Sequence, residues 1–182
     1  MLHRFMMTLA TGMALLGGVV LLGLIAIVGI SVLGLQVNGF GHLAWVETTA
    51  PRFAAWLLGT GVGPLTGDYE LVAAGAAFAV FAFLPICQIT GGHATVDLLA
   101  DRFSQPVRRA LTAFWEVVLA AALILIAARL TVGTLDKLGN GETTYLIQFP
   151  LWWSYAASSV AAWVAALVGI YCAGWRIVQV RG

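Results

Sequence analysis

The chain has 182 residues, of which 61% are hydrophobic and only 9% charged, with a net charge of +1. A soluble domain carries about 25% charged residues, so this chain cannot cover itself with a water-compatible surface and reads as an integral membrane protein. The near-zero charge offers no basic field to nucleic acid, and Cys87 and Cys172 lie in apolar runs without metal or redox spacing.

A spanning helix needs about 20 mostly apolar residues. The first run, Leu9 to Val37, has no ionisable residue and exceeds that length, so tilt or projection beyond the hydrocarbon would absorb the surplus. A secretory signal would instead have an apolar core of about 7–15 residues behind clear positive charge. Only Arg4 precedes this run, which is therefore expected to remain as a helix.

Asn38 to Asp68 breaks the apolar pattern with glycines, Pro51, Pro64 and scattered charge. Within it, residues 51–59 (PRFAAWLLG) read as a short helix with Pro51 suited to its first turn. Phe53, Trp56 and Leu57 share one face, which fits either a helix lying in the membrane interface or a docking surface for a periplasmic partner. The second span is expected over about 71–89. Glu70 at its mouth complements the helix dipole, and Pro85 predicts a kink near its exit.

After Gly91-Gly92, the segment at about 95–105 places Val96, Leu99, Ala100 and Phe103 on one helical face and Asp97, Asp101 and Gln105 on the other, with Leu98 the exception. That pattern is a second interfacial helix rather than a span. The third span, about 110–135, carries the two ionisable groups set within apolar runs, Glu116 and Arg129. Such groups are functional candidates in a membrane. At about 20 Å of rise apart they cannot pair within one helix. Arg129 can snorkel toward water, whereas Glu116 needs a partner on another helix or chain, or must be protonated. A structural polar contact and a proton relay both stay open for it.

The fourth span, about 150–175, opens on Pro150 after a polar loop and carries Trp152, Trp153 and Tyr155 near one end and Tyr171 and Trp175 near the other, as interfacial belts do. Its small residues Ala157, Ala161, Ala165, Gly169 and Ala173 recur every fourth position, which permits close helix approach, partly within the four-helix unit and with room left for a partner subunit. Four spans put Arg4, Arg102, Arg108, Arg109, Arg176 and Arg181 on one side and Arg52 and Lys137 on the other. The positive-inside rule then places both termini in the cytoplasm.

The histidines His3, His42 and His93 lie outside the spans, which does not support a haem held between helices. No phosphate-binding loop, catalytic triad pattern or pair of interrupted helices is present in the sequence. No catalytic, cofactor-binding or metal-ligating residue is assigned, and no cofactor is expected. The pattern is that of an all-α membrane protein of four spans with short interfacial helices, forming a single membrane domain over residues 1–182 and serving a structural role.

Three motifs carry a resemblance to a known family. They are GDYELVAAG with Glu70, GGHATVDLL with Gly92, His93, Val96, Asp97 and Leu98, and YLIQFPLWWSYA with Pro150, Trp153 and Tyr155. In order and spacing, from Asp68 to Trp175, they resemble the small (DctQ-like) membrane subunit of tripartite ATP-independent periplasmic (TRAP) transporters. Relatives often have arginines just before the Gly-His element, where this chain has Gln88 and Thr90. The resemblance implies a bacterial inner-membrane complex that imports an organic acid with sodium. A large membrane subunit would carry the substrate, and a periplasmic binding protein would deliver it by transient docking. This chain would be the non-enzymatic scaffold between them, embedded in the lipid bilayer. Two other readings are weighed beside it: a stand-alone small carrier or channel, with Glu116 as the residue to test, and a membrane anchor for a redox enzyme.

Overall fold

A computed structural model describes residues 1–92 and 105–181, with side chains described as far as Val178. Among those residues the helices are α1 (Leu2–Gly41), α2 (Ala44–Thr49), α3 (Pro51–Gly59), α4 (Asp68–Thr90), α5 (Gln105–Asn140) and α6 (Leu151–Arg181). Four of them, α1, α4, α5 and α6, are long and apolar enough to cross a membrane. No strand forms among the described residues beyond one isolated bridge, Thr143 to Pro150. The chain is an all-α membrane protein.

The first helix is much longer than its apolar run. At 40 residues it measures about 60 Å, twice a hydrocarbon core of about 30 Å. Its last turns are not bare, because they carry the following loop. Gly41 faces Leu57 and Leu58 of α3, and Asn38 Nδ2 donates to the Val62 carbonyl at 2.8 Å. The chain from Asn38 to Asp68 is also more ordered than its composition suggests. It forms two short helices, of which α3 begins on Pro51, whose fixed φ suits a first turn.

At its far end α4 runs through the buried Pro85 and stops at Gly91. Gly91 has φ +66°, and the N–H groups of Gly92 and Gly91 donate to Cys87 O at 2.8 Å and Gln88 O at 3.2 Å. This is a Schellman stop, which needs a residue free to adopt the left-handed region.

The four long helices stand in a row. Close packing joins α1 to α4, α4 to α6, and α6 to α5, while α5 packs closely on no other described helix. The chain alternates direction along the row. His3 at the start of α1 hydrogen-bonds Tyr171 near the end of α6 at 3.1 Å, so both termini share one end, called here the terminal end. The opposite end carries the 42–67 and 141–150 segments and is called the loop end.

Burial follows from this order. More than half (56%) of the apolar window of α6 is buried, against 11% of that of α1. The small-residue stripe of α6 explains why. Ala161 packs with Met13 and Ala82, while Ala165 and Ala166 pack with Leu123. Gly169 lets Ala120 of α5 approach to 3.5 Å of where a Cβ would stand. The packing expected within the four-helix unit takes up most of the stripe, against α4 and α5, and of its members only Ala157 is exposed. Between α5 and α6, Thr131 Oγ1 donates to Ala127 O at 2.9 Å, meets Ser159 Oγ at 2.9 Å and accepts the Trp163 indole N–H at 3.0 Å. One hydroxyl thereby uses its donor and both lone pairs within the membrane span.

Candidate functional site at the clasped loop end

Two polar clasps fix the loop end. The first is centred on Ser31, buried on α1. Its hydroxyl donates to Asp68 Oδ2 at 2.5 Å and accepts the Leu65 N–H at 3.1 Å. Asp68 Oδ1 in turn accepts the Tyr69 N–H at 2.7 Å, which supplies negative charge at the first turn of α4 where the helix dipole favours it. Ser31, Gly34 and Asn38 lie at i, i+3 and i+7 and so share one face of α1. Gly34 sits against the Gly63 backbone so closely that a Cβ would stand 2.8 Å from its carbonyl carbon. The loop therefore lies directly on the α1 backbone.

The second clasp is centred on Glu70. Its carboxylate, buried beneath the 141–150 loop, accepts the Leu146 N–H at 2.8 Å and the Ile147 N–H at 3.1 Å. The loop can present these groups because it folds back on itself. Thr144 N–H donates to Phe149 O at 2.9 Å, Phe149 N–H donates to Thr144 Oγ1 at 3.0 Å, and Leu151 N–H donates to Glu142 O at 3.0 Å. Gln148 takes a positive φ of 52° at the turn. Gly67, at φ +79°, lies under the Ile147 side chain and leaves no space for a Cβ. Lys137 and Glu142 pair across the base of the same loop at 2.5 Å.

Together the clasps tie α1, α4 and the connection into α6 at one end of the row. No metal-binding group of three His, Cys, Asp or Glu residues occurs among the described residues. The chemistry of the clasps is mechanical: charged and hydroxyl acceptors satisfy backbone donors that would otherwise be buried unpaired. The model of one protein family, tripartite ATP-independent periplasmic transporters, DctQ component, matches residues 24–179.

The chain belongs to that family. It is a component of a TRAP transporter and a multi-pass membrane protein. No curated protein and no solved structure matches the chain.

The motif residues of this DctQ-family chain are scattered across the fold. Glu70 builds the second clasp. Pro150 closes the base of the loop as the bridge partner of Thr143. Trp153 is exposed beside Phe149, their rings 6.5 Å apart. Tyr155 lies flat enough on α5 that a Cβ on Gly133 would meet its ring at 3.1 Å. Gly92 belongs to the Schellman stop at the other end of α4, and His93, Val96, Asp97 and the rest of the 93–104 segment lie outside the described residues. Glu116 and Arg129 differ sharply: Arg129 is exposed, whereas Glu116 is buried with Oε2 unpartnered among the described residues.

Ser31, Gly34, Gly67 and Asp68 were not picked out as a working group from sequence. The available signal was a hydroxyl deep in an ionisable-free run, with Gly34 and Asn38 following at helical spacing.

Proposed function

We propose that this chain is the stationary scaffold of its transporter, supporting a large membrane subunit that carries an organic acid inward with sodium. The observation that carries the reading is the row of helices with its clasped end. A row exposes two broad apolar faces, and α1, packed closely on α4 alone among the long helices, leaves most of its apolar surface uncovered within the chain. The loop end is tied by Ser31 and Glu70 to two different helices, which suits a part that holds its shape while another moves. Both termini are assigned to the cytoplasm by the six-to-two distribution of arginine and lysine. The loop end then faces the periplasm, where a substrate-binding protein docks transiently. The 95–105 segment is assigned the role of a brace along the membrane, with His93 and Asp97 fixing its turn and Val96 and Phe103 holding it against lipid or the large subunit.

Affinity purification in mild detergent tests the scaffold reading. A much larger membrane protein should follow this chain, and a Val96→Asp, Phe103→Asp double variant should recover less of it. Liposomes containing this chain alone should show no sodium-driven uptake of an organic acid. Uptake by the chain alone, abolished by Glu116→Gln, would establish the carrier reading in its place.

A further inference from the structure

At the terminal end, a small, partly open pocket of about 140 Å³ lies between the start of α1, the end of α4 and the end of α6, lined by His3, Gln88, Tyr171, Cys172, Trp175 and Arg176. Its size matters first. About 10–15 Å³ suffices for one water, so the pocket admits a polyatomic group.

Its chemistry is dominated by donors. Arg176 presents a guanidinium with five N–H groups and no acceptor, and among the described residues no carboxylate lies within salt-bridge distance of it. Tyr171 and His3 share one hydrogen bond at 3.1 Å, which leaves the second ring nitrogen of His3 and the remaining capacity of the Tyr171 hydroxyl. Gln88 is the decisive residue. It is 2% exposed, yet neither its Nε2 nor its Oε1 has a partner among the described residues. A buried primary amide left unpaired at both ends is costly. Its Nε2 lies over Gly169 of α6, where an added Cβ would stand 2.8 Å from it. The buried acid of α5, Glu116, does not line the pocket.

We propose that this pocket binds one phosphate-class anion, with Arg176 as its charge partner, Tyr171 and the Gln88 Nε2 as hydrogen-bond donors, and the Gln88 Oε1 accepting from a hydroxyl or ammonium carried by the same molecule. Guanidinium pairs with phosphate oxygens through charge-assisted, often bidentate hydrogen bonds. The exposed Trp175 at the rim is the kind of residue that settles at headgroup depth. The anion found there at high local concentration is the phosphodiester of a membrane phospholipid, and a free phosphate offers the same oxygens.

The test uses the delipidated full chain in a neutral maltoside detergent, read by native mass spectrometry against three probes: dioctanoyl-phosphatidylglycerol, dioctanoylglycerol and inorganic phosphate. One phosphatidylglycerol should bind per chain, about tenfold or more weakly in Arg176→Ala, and dioctanoylglycerol should not bind. A second variant, Gln88→Leu, keeps the buried volume while removing the amide. It should also weaken binding, yet melt no lower than the unaltered chain when ligand-free, because an unpaired polar group has been removed. Inorganic phosphate binding with the same loss in Arg176→Ala would support the site and name the free anion as its occupant. The proposal is overturned if neither phosphate-bearing probe binds, if dioctanoylglycerol binds equally well, or if both variants bind as the unaltered chain does.

Discussion

Glu70 in the first turn of α4 accepts the backbone N–H of Leu146, 76 residues further along the chain, at 2.8 Å. The same carboxylate accepts the N–H of Ile147 at 3.1 Å. A single acidic side chain thus joins the mouth of one spanning helix to the loop that leads into the most buried one. Helix-dipole complementarity explains an acid at this position, but it does not need the carboxylate to be buried under the loop, and here it is. The residue holds two helices in register.

Glu70→Ala should therefore release the loop rather than unfold the row. Two backbone donors lose their acceptor, at a cost of about 1–3 kcal/mol if they stay buried, and the loop lowers that cost by swinging into water. Amide hydrogen exchange is the direct readout. Leu146 and Ile147 should exchange far faster in the variant, while amides in the middle of α6 keep their protection. Uniform loss of protection along α6 would mean that the clasp supports the whole row.

The α1 clasp makes a sharper comparison, because the same helix supplies its own control. Ser31→Ala removes the group that bridges Asp68 and the Leu65 N–H and should cost about 1–3 kcal/mol. Gly34→Ala forces a methyl group against the Gly63 backbone, and backbone cannot step aside as a flexible side chain can, so its thermal midpoint should fall further. Gly29→Ala, with nothing within 4 Å of the added carbon, should be neutral or slightly stabilising, since alanine suits a helix interior better than glycine. Equal midpoints for the Gly29 and Gly34 variants would mean that the loop does not rest on α1 in solution.

What could be read from the sequence divides along a physical line. The long helices were legible because an apolar run of sufficient length has few other structures open to it. The start of α3 was legible because Pro51 restricts its own φ. By contrast, α2 is six residues long, too short for periodicity to speak. The row order was hidden for another reason: a helix apolar on every side gives no sign of which side meets protein and which meets lipid. The stripe on α6 announced close packing without naming the partner, and α4 and α5 proved to be the partners. At the loop end the dipole argument for Glu70 was sufficient in itself and so concealed the long-range contact. Ser31 required the loop to be seen lying on α1.

Between α5 and α6, Thr131→Val is nearly isosteric and removes the hydroxyl shared by Ser159 and Trp163. Interhelical hydrogen bonds in membranes average about 0.6 kcal/mol and reach about 1.7. Two partners lost together should place this variant in the upper half of that range. A double-mutant cycle with Ser159→Ala separates the contributions. The double variant should lose less than the sum of the singles, because the Thr131 to Ser159 bond can be lost only once. Strict additivity would show that the two hydroxyls do not meet.

Glu116 calls for the opposite expectation. Its side chain is buried in α5, and Oε2 has no partner among the described residues. Glu116→Leu removes a buried acid of comparable volume and should raise the thermal midpoint of the isolated chain, since an unmet buried acceptor costs about 1–3 kcal/mol. If the large subunit supplies the missing donor, the same substitution should lower the yield of the copurified complex, so the two measurements move in opposite directions. Glu116→Gln, which keeps an acceptor and adds a donor, should retain most of the complex. Arg129→Leu, thirteen positions along and exposed, should leave the isolated chain's midpoint nearly unchanged, because its head group already reaches its own solvation. A fall in the midpoint of the isolated Glu116→Leu chain would show that the carboxylate is satisfied within the chain, and the search for its donor would then turn inward.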